Sequence, residues 1–142
     1  MPTMHASAEW SGNLTGGSGR ISAKRGQLEA GYSLKSRLGE EPQTNPEELL
    51  GAAHAACFSM MVSALATNAG LTPTRISTDA AVTFGPVDGG FAITSIALTC
   101  EAIIPGIDAT GFAELAENAK NNCPVSKALT GTSITLTATL VD

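Results

Sequence analysis

The stretch from Thr44 to Gly70 constrains this chain more than any other. It opens with Thr44-Asn45-Pro46-Glu47-Glu48 and continues almost without interruption through apolar and small residues to Gly70. Asn45 suits a helix cap, Pro46 suits the first helical position, and Glu47 and Glu48 meet the positive end of the helix dipole. Gly70 supplies a stop. The pattern predicts one long helix, apolar or small on nearly all sides, which must therefore be buried at the centre of the molecule. Residues 49–66 form the longest nearly apolar run, but they carry His54, Ser59 and Ser63 between segments patterned as strands. That combination reads as a core helix rather than a membrane span.

The flanking segments alternate with a period of two. Met4, Ala6, Ala8 and Trp10 share one face of a first strand, and further strands are expected over 20–24 and 32–38, making a small antiparallel sheet of hairpins. After the helix, strands over 75–84 and 91–103 are joined by the turn Val87-Asp88-Gly89-Gly90. A helix follows over 109–121, then a short one opened by Cys123-Pro124 and running to about residue 129. Ile134, Leu136, Ala138 and Leu140 mark the last strand. The expectation is a single α+β domain over 1–142, with two antiparallel sheets around the long central helix.

Composition narrows the functional classes. A chain of 142 residues with 43% hydrophobic and 15% charged residues can bury an ordinary core and is not disordered. So few charges on so small a chain suggest that part of its surface is hidden in an oligomer. A net charge of −5 without a basic cluster leaves no footprint for nucleic acid or anionic lipid. No secretory signal pattern is present, which points to the cytoplasm.

The chemistry-bearing residues are few. Cys57, Cys100 and Cys123 are too few for a secreted disulfide scaffold, and in a cytoplasmic chain they are either packed thiols or reactive ones. Cys57 lies mid-helix and gains nothing from the dipole, so by itself it reads as a core thiol unless another positive group holds its thiolate. Cys123 precedes Pro124 at the start of a short helix, where free amides favour a thiolate; a simple cap is the alternative. Cys100 shares a strand face with Ile96, Leu98 and Ala102 and reads as packing. His54 neighbours Cys57 on the helix, yet no orienting carboxylate or oxyanion loop accompanies the pair. Paired zinc ligands and a Cys-x-x-Cys motif are both missing. Arg37, expected on the 32–38 strand, reads alone as a solvated strand residue, and Glu47 alone as a helix-terminus charge.

Together these residues have a pattern. The segment Thr44 to Ser59, ending His54-Ala55-Ala56-Cys57-Phe58-Ser59, closely resembles the first cysteine signature of the OsmC/Ohr family of osmotically inducible and organic-hydroperoxide-resistance proteins. Asn122-Cys123-Pro124-Val125-Ser126 resembles the second. The similarity extends through Val87 to Thr94 and Pro105 to Asp108, and the arginine in Ser36-Arg37 places it nearer the OsmC branch. The resemblance implies an intertwined homodimer and a thiol peroxidase acting on organic hydroperoxides. In it Cys57 would attack the peroxide, Cys123 would resolve the product as a disulfide, and Arg37 with Glu47 would activate Cys57. It implies no cofactor and no metal, only an external dithiol or a lipoylated protein as reductant. Cys100 falls outside both signatures. A ligand-binding stress protein with structural cysteines and a Cys-dependent hydrolase are the alternatives. Small residues with Phe58, Met60 and Met61 are expected to build an apolar approach to Cys57.

Overall fold

The computed structural model describes every residue from Met1 to Asp142. The chain divides into two compact units, Met1–Leu49 and Leu50–Asp142, and the boundary falls inside the long helix.

In the first unit, β1 (Ser7–Ser11), β2 (Ser18–Ala23) and β3 (Leu28–Tyr32) form an antiparallel sheet in sequential order. Trp10 and Tyr32, at opposite edges, bring their rings to 5.5 Å between centroids across Gly19. A side chain at Gly19 would collide with the Tyr32 ring, so glycine is required there. The strand expected over 32–38 instead ends at Tyr32 and gives way to a short helix, α1 (Leu34–Arg37). Ser33 caps it reciprocally: its Oγ accepts from the Ser36 amide at 3.0 Å, and Ser36 Oγ accepts from the Ser33 amide at 2.9 Å. Leu34 and Leu38 are four apart, a spacing common to both periods, and the capping serines decide for helix. Arg37 therefore sits on a helical turn rather than an outward strand position.

The long helix α2 (Pro46–Asn68) begins as expected. Asn45 Oδ1 accepts from the Glu48 amide at 2.8 Å, and Pro46 occupies the first helical position, where its missing N–H is not needed. At the other end Gly70 takes φ 79°, and the Leu71 amide reaches back to the Ala66 carbonyl at 2.9 Å.

In the second unit, β4 (Arg75–Val87) and β5 (Gly90–Ile103) form a hairpin closed by Asp88-Gly89, with Gly89 at φ 88°. Two helices follow, α3 (Ala109–Asn122), capped by Asp108, and α4 (Pro124–Ala128). The last strand, β6 (Ser133–Leu140), then pairs with β5 in parallel. The second sheet is thus mixed, not antiparallel. A two-residue turn reverses the chain, whereas the helical crossover returns it to the end from which β5 started.

Ile96, Leu98, Cys100 and Ala102 all face the core from β5. Against them pack Phe58, Val62 and Ala66 of α2 and Phe112, Ala116 and Ala119 of α3. Each large side chain buried here contributes about 1.5–3 kcal/mol. Helix and sheet approach closely at Gly51: a Cβ there would lie 2.9 Å from the Ala80 carbonyl oxygen. Ser59 and Thr78 share a hydroxyl hydrogen bond at 2.7 Å.

Only one face of α2 is buried. His54, Phe58, Val62 and Ala66 recur every four residues on the inside, while Ala52, Ala53, Ala56, Met60 and Ala64 are exposed, Met60 at 74%. The expectation of burial on all sides fails for one chain, because a single sheet can cover only one face of a helix.

Candidate functional site: a thiol pair and a guanidinium–carboxylate pair

Cys57 and Cys123 are 66 positions apart in sequence, and the fold brings their thiols close enough for each to shift the other's ionisation. Cys57 lies on α2 and is partly exposed, whereas Cys123, between α3 and α4, is fully buried. Both are free thiols. Burial pushes the Cys57 thiol up, and its hydrogen bond to Cys123 holds its proton further, against a smaller opposing effect of the Val125 amide. Burial also pushes Cys123 up, but there it is outweighed. The Cys57 S–H, the amides of Ser126 and Val125 and the Ser126 hydroxyl all favour the charged sulfur, so Cys123 ends below its ordinary value. The helix-start amides of Ser126 and Val125 add to this in the expected direction, after the larger influence of Cys57.

His54 does not serve Cys57. Its ring is fully buried, and Nε2 lies 2.7 Å from Ser126 Oγ on α4. Burial lowers its pKa, so the ring is held neutral. Cys100 is buried on β5, and that burial is the main reason its thiol is pushed up. Phe58, expected to line an apolar approach to Cys57, is instead buried in the core; Met60 is exposed and Met61 half-buried. No cluster of three or more His, Cys, Asp or Glu residues is placed to hold a metal ion.

In the first unit, Arg37 and Glu47 form a bidentate pair. Arg37 Nε lies 3.1 Å from both carboxylate oxygens, and Nη2 reaches Oε1. The side chain of Glu47 is only 8% exposed, that of Arg37 37%. The α1 turn makes this possible: Ser36 Oγ donates to the Thr44 carbonyl at 2.8 Å and ties α1 to the start of α2. A cavity of about 240 Å³ adjoins the guanidinium, lined by Trp10, Leu14, Tyr32, Ser33, Leu34, Arg37 and Pro46.

Residues 39–139 match the family model described as OsmC-like protein. The chain belongs to the OsmC family. It is 50% identical over 123 residues to "Peroxiredoxin OsmC" of Escherichia coli (strain K12), covering 86% of each chain. It is 35% identical over 142 residues to the "Organic hydroperoxide resistance protein" of Xanthomonas axonopodis pv. citri, covering 97% of this chain and 93% of the relative. Among solved structures, an organic hydroperoxide resistance protein of Elizabethkingia anophelis superposes with a TM-score of 0.74 at 27% identity, covering 100% of this chain and 97% of the other. The OsmC fold of two three-stranded sheets and a long central helix accounts for the observed architecture.

Two of the four residues expected to act meet within the second unit, Cys57 with Cys123, and the other two within the first, Arg37 with Glu47. Ser126 was not singled out by sequence. Its signal is positional: it stands three residues after Cys123, one turn along the same short helix.

Proposed function

We propose that this OsmC protein is a cysteine-based peroxidase that reduces organic hydroperoxides to alcohols. The observation that carries the reading is the pairing of a partly exposed thiol, Cys57, with a fully buried one, Cys123, near enough to shift its ionisation. A peroxide can reach the first, and only an internal partner reaches the second. The names borne by the relatives favour the same chemistry.

The Cys57 thiolate attacks one peroxide oxygen, the O–O bond breaks, and the alkoxide leaves with a proton as the alcohol. Cys57 becomes a sulfenic acid. The Cys123 thiolate then attacks the Cys57 sulfur; the S–O bond breaks, the hydroxide is protonated to water, and a disulfide forms. An external dithiol, free or carried as lipoyl on a protein, restores both thiols by exchange and is itself oxidised. Arg37 is assigned to hold the Cys57 thiolate and to stabilise charge on the departing oxygen, and Glu47 to fix the guanidinium fork. The chemistry requires no metal, haem or flavin.

Glu47 precedes Cys57 by ten positions in sequence, and ten residues of straight α-helix rise about 15 Å, more than one arginine side chain spans. The working form is therefore a homodimer in which the Arg37–Glu47 pair of each chain serves the partner's Cys57. The exposed small-residue face of α2 is suited to close approach by a second copy. Residues 1–142 then act as one OsmC-like domain, in the reducing cytoplasm where free thiols persist.

The exposed apolar positions around Cys57, chiefly Ala53, Ala56 and Met60, favour an organic tail over a bare peroxide, at about 0.8 kcal/mol per buried methylene. The test is peroxide loss with dithiothreitol as reductant, comparing cumene hydroperoxide with hydrogen peroxide. Faster turnover of cumene hydroperoxide is expected. No turnover of either would leave a binding protein with structural cysteines, and equal efficiency on both would remove the organic preference.

A further inference from the structure

His54 and Ser126 have no part in the peroxidase steps above, yet both are buried and they contact each other next to Cys123. His54 is fully buried, Ser126 is 6% exposed, and their side chains meet at 2.7 Å. A neutral imidazole carries one N–H, and its position decides what the pair does. Nδ1 of His54 has no hydrogen-bond partner. A proton on Nδ1 would make it a buried, unpaired N–H donor, which folded proteins almost never tolerate, whereas an unpaired acceptor is less costly. The proton therefore belongs on Nε2, where it is donated to Ser126 Oγ. The serine hydroxyl, its lone pair engaged, is left with its own hydrogen to give. Ser126 is the third residue of α4, whose cap is Cys123, and so stands one helical turn beyond the resolving thiol's residue.

We propose that His54 and Ser126 are positioning residues for the resolving thiol, with His54 Nε2–H donating to Ser126 Oγ and the Ser126 hydroxyl donating to the Cys123 sulfur. The inference rests on the reading of Cys123 as the resolving residue. The influence of the Ser126 hydroxyl on Cys123 ionisation agrees with it. The relay forms no covalent bond. It stabilises the Cys123 thiolate twice in the cycle: before its electron pair forms the S–S bond and expels hydroxide from Cys57, and again when a reductant thiolate attacks Cys57 and that electron pair returns to Cys123. Because His54 acts only through Ser126, it contributes nothing once the hydroxyl is gone.

The test uses the full-length protein and two readouts. One is the rate at which the Cys57–Cys123 disulfide closes after one equivalent of cumene hydroperoxide. The other is the equilibrium of that disulfide with reduced and oxidised dithiothreitol. Losing one hydrogen bond to a thiolate is expected to alter its stability about tenfold. Ser126→Ala should therefore slow closure about tenfold and shift the equilibrium about tenfold toward the disulfide, roughly 30 mV more negative. His54→Leu should move both readouts the same way. The double variant should be no worse than Ser126→Ala alone, a non-additivity expected of residues in series. Ser126→Thr keeps the hydroxyl and His54→Gln keeps a donor at the Nε2 position, so both should restore the native values, which loss of packing alone would not produce. Unchanged closure and equilibrium in Ser126→Ala would overturn the proposal, as would additive losses in the double variant or a His54→Gln protein indistinguishable from His54→Leu. The dithiothreitol equilibrium needs no peroxide, so it reads the relay even in a protein that fails as a peroxidase.

Discussion

Arg37 grips Glu47 through two nitrogens, Nε at 3.1 Å from both carboxylate oxygens and Nη2 on Oε1, and the two partners differ sharply in burial. Glu47 is almost enclosed, while a third of the Arg37 side chain remains in water. The two deletions should therefore be unequal. Arg37→Ala strands a buried carboxylate and is expected to cost roughly 2–3 kcal/mol of stability. Glu47→Ala leaves a guanidinium that water can reach and should cost only about 1 kcal/mol. Both should abolish most peroxide turnover. Urea unfolding of the two variants checks the order of the losses, and equal losses would contradict the burial argument.

Cys57 and Cys123 should differ in a single turnover. With one equivalent of cumene hydroperoxide, Cys123→Ser should still yield one alcohol and leave Cys57 as a sulfenic acid that over-oxidises in excess peroxide. Cys57→Ser should be inert, because the remaining redox thiol is fully buried. Intact-mass spectrometry reads both results. Sulfenic acid on Cys123 in the Cys57→Ser protein, formed at the native rate, would reverse the roles.

The same pair makes a titration prediction. Burial holds Cys57 up, and Cys123 holds it up further, as hydrogen-bond acceptor and as a negative charge. Replacing Cys123 by alanine removes the second influence and leaves the first. The Cys57 thiol should then ionise at lower pH than in the native protein. The pH profile of iodoacetamide alkylation at Cys57 measures this, and a shift to higher pH would show that the two thiols do not share a proton as described.

Mixing chains tests the shared site. Glu47→Ala and Cys57→Ser homodimers should each be inactive, while a heterodimer of the two retains one intact Arg37–Glu47 pair and one intact Cys57. If the pair serves the partner, those intact groups meet at one site and activity returns to about half the native value per dimer. Heterodimers shown to form and yet inactive would place the pair and the thiol in the same chain.

Gly51 should behave against its helix propensity. In an exposed helix, glycine to alanine gains about 1 kcal/mol. Here the added Cβ would lie 2.9 Å from the Ala80 carbonyl oxygen, a backbone atom that cannot turn aside. Gly51→Ala is expected to lose about 1–3 kcal/mol instead. A higher melting temperature in the variant would show that the helix can lift from the sheet at no cost.

His54 gives stability a pH dependence. Its folded pKa is depressed by burial, so between that value and the ordinary one near 6.5 the unfolded chain binds a proton that the folded chain refuses. The contribution is complete above the ordinary value and is lost as pH falls toward the folded one. Urea midpoints should drop as pH falls through the ordinary histidine value in the native protein, and drop less in His54→Gln.

Much of the local structure was legible in the order of residues. Asn45-Pro46-Glu47-Glu48 starts a helix because its caps and charges act within one turn, and Asp88-Gly89 closes a hairpin because only a few torsions are involved. The placement of Cys100 in the core followed from strict alternation along β5. The family signatures single out Cys57, Cys123, Arg37 and Glu47 from the order of residues alone. Other features depended on partners far away in sequence. Leu34 and Leu38 fit either period, so the α1 turn was decided by serines that hydrogen-bond back to the chain and on to Thr44. The parallel direction of β6 came from the helical crossover, which carries no mark in the strand itself. The fate of His54 was the least visible of all. Three residues from Cys57 on one helix, it looked like that thiol's neighbour, yet its ring faces Ser126, 72 positions further on. A helix determines which residues share a face. What that face meets, and hence which sulfur a buried histidine serves, is determined only when another element packs against it.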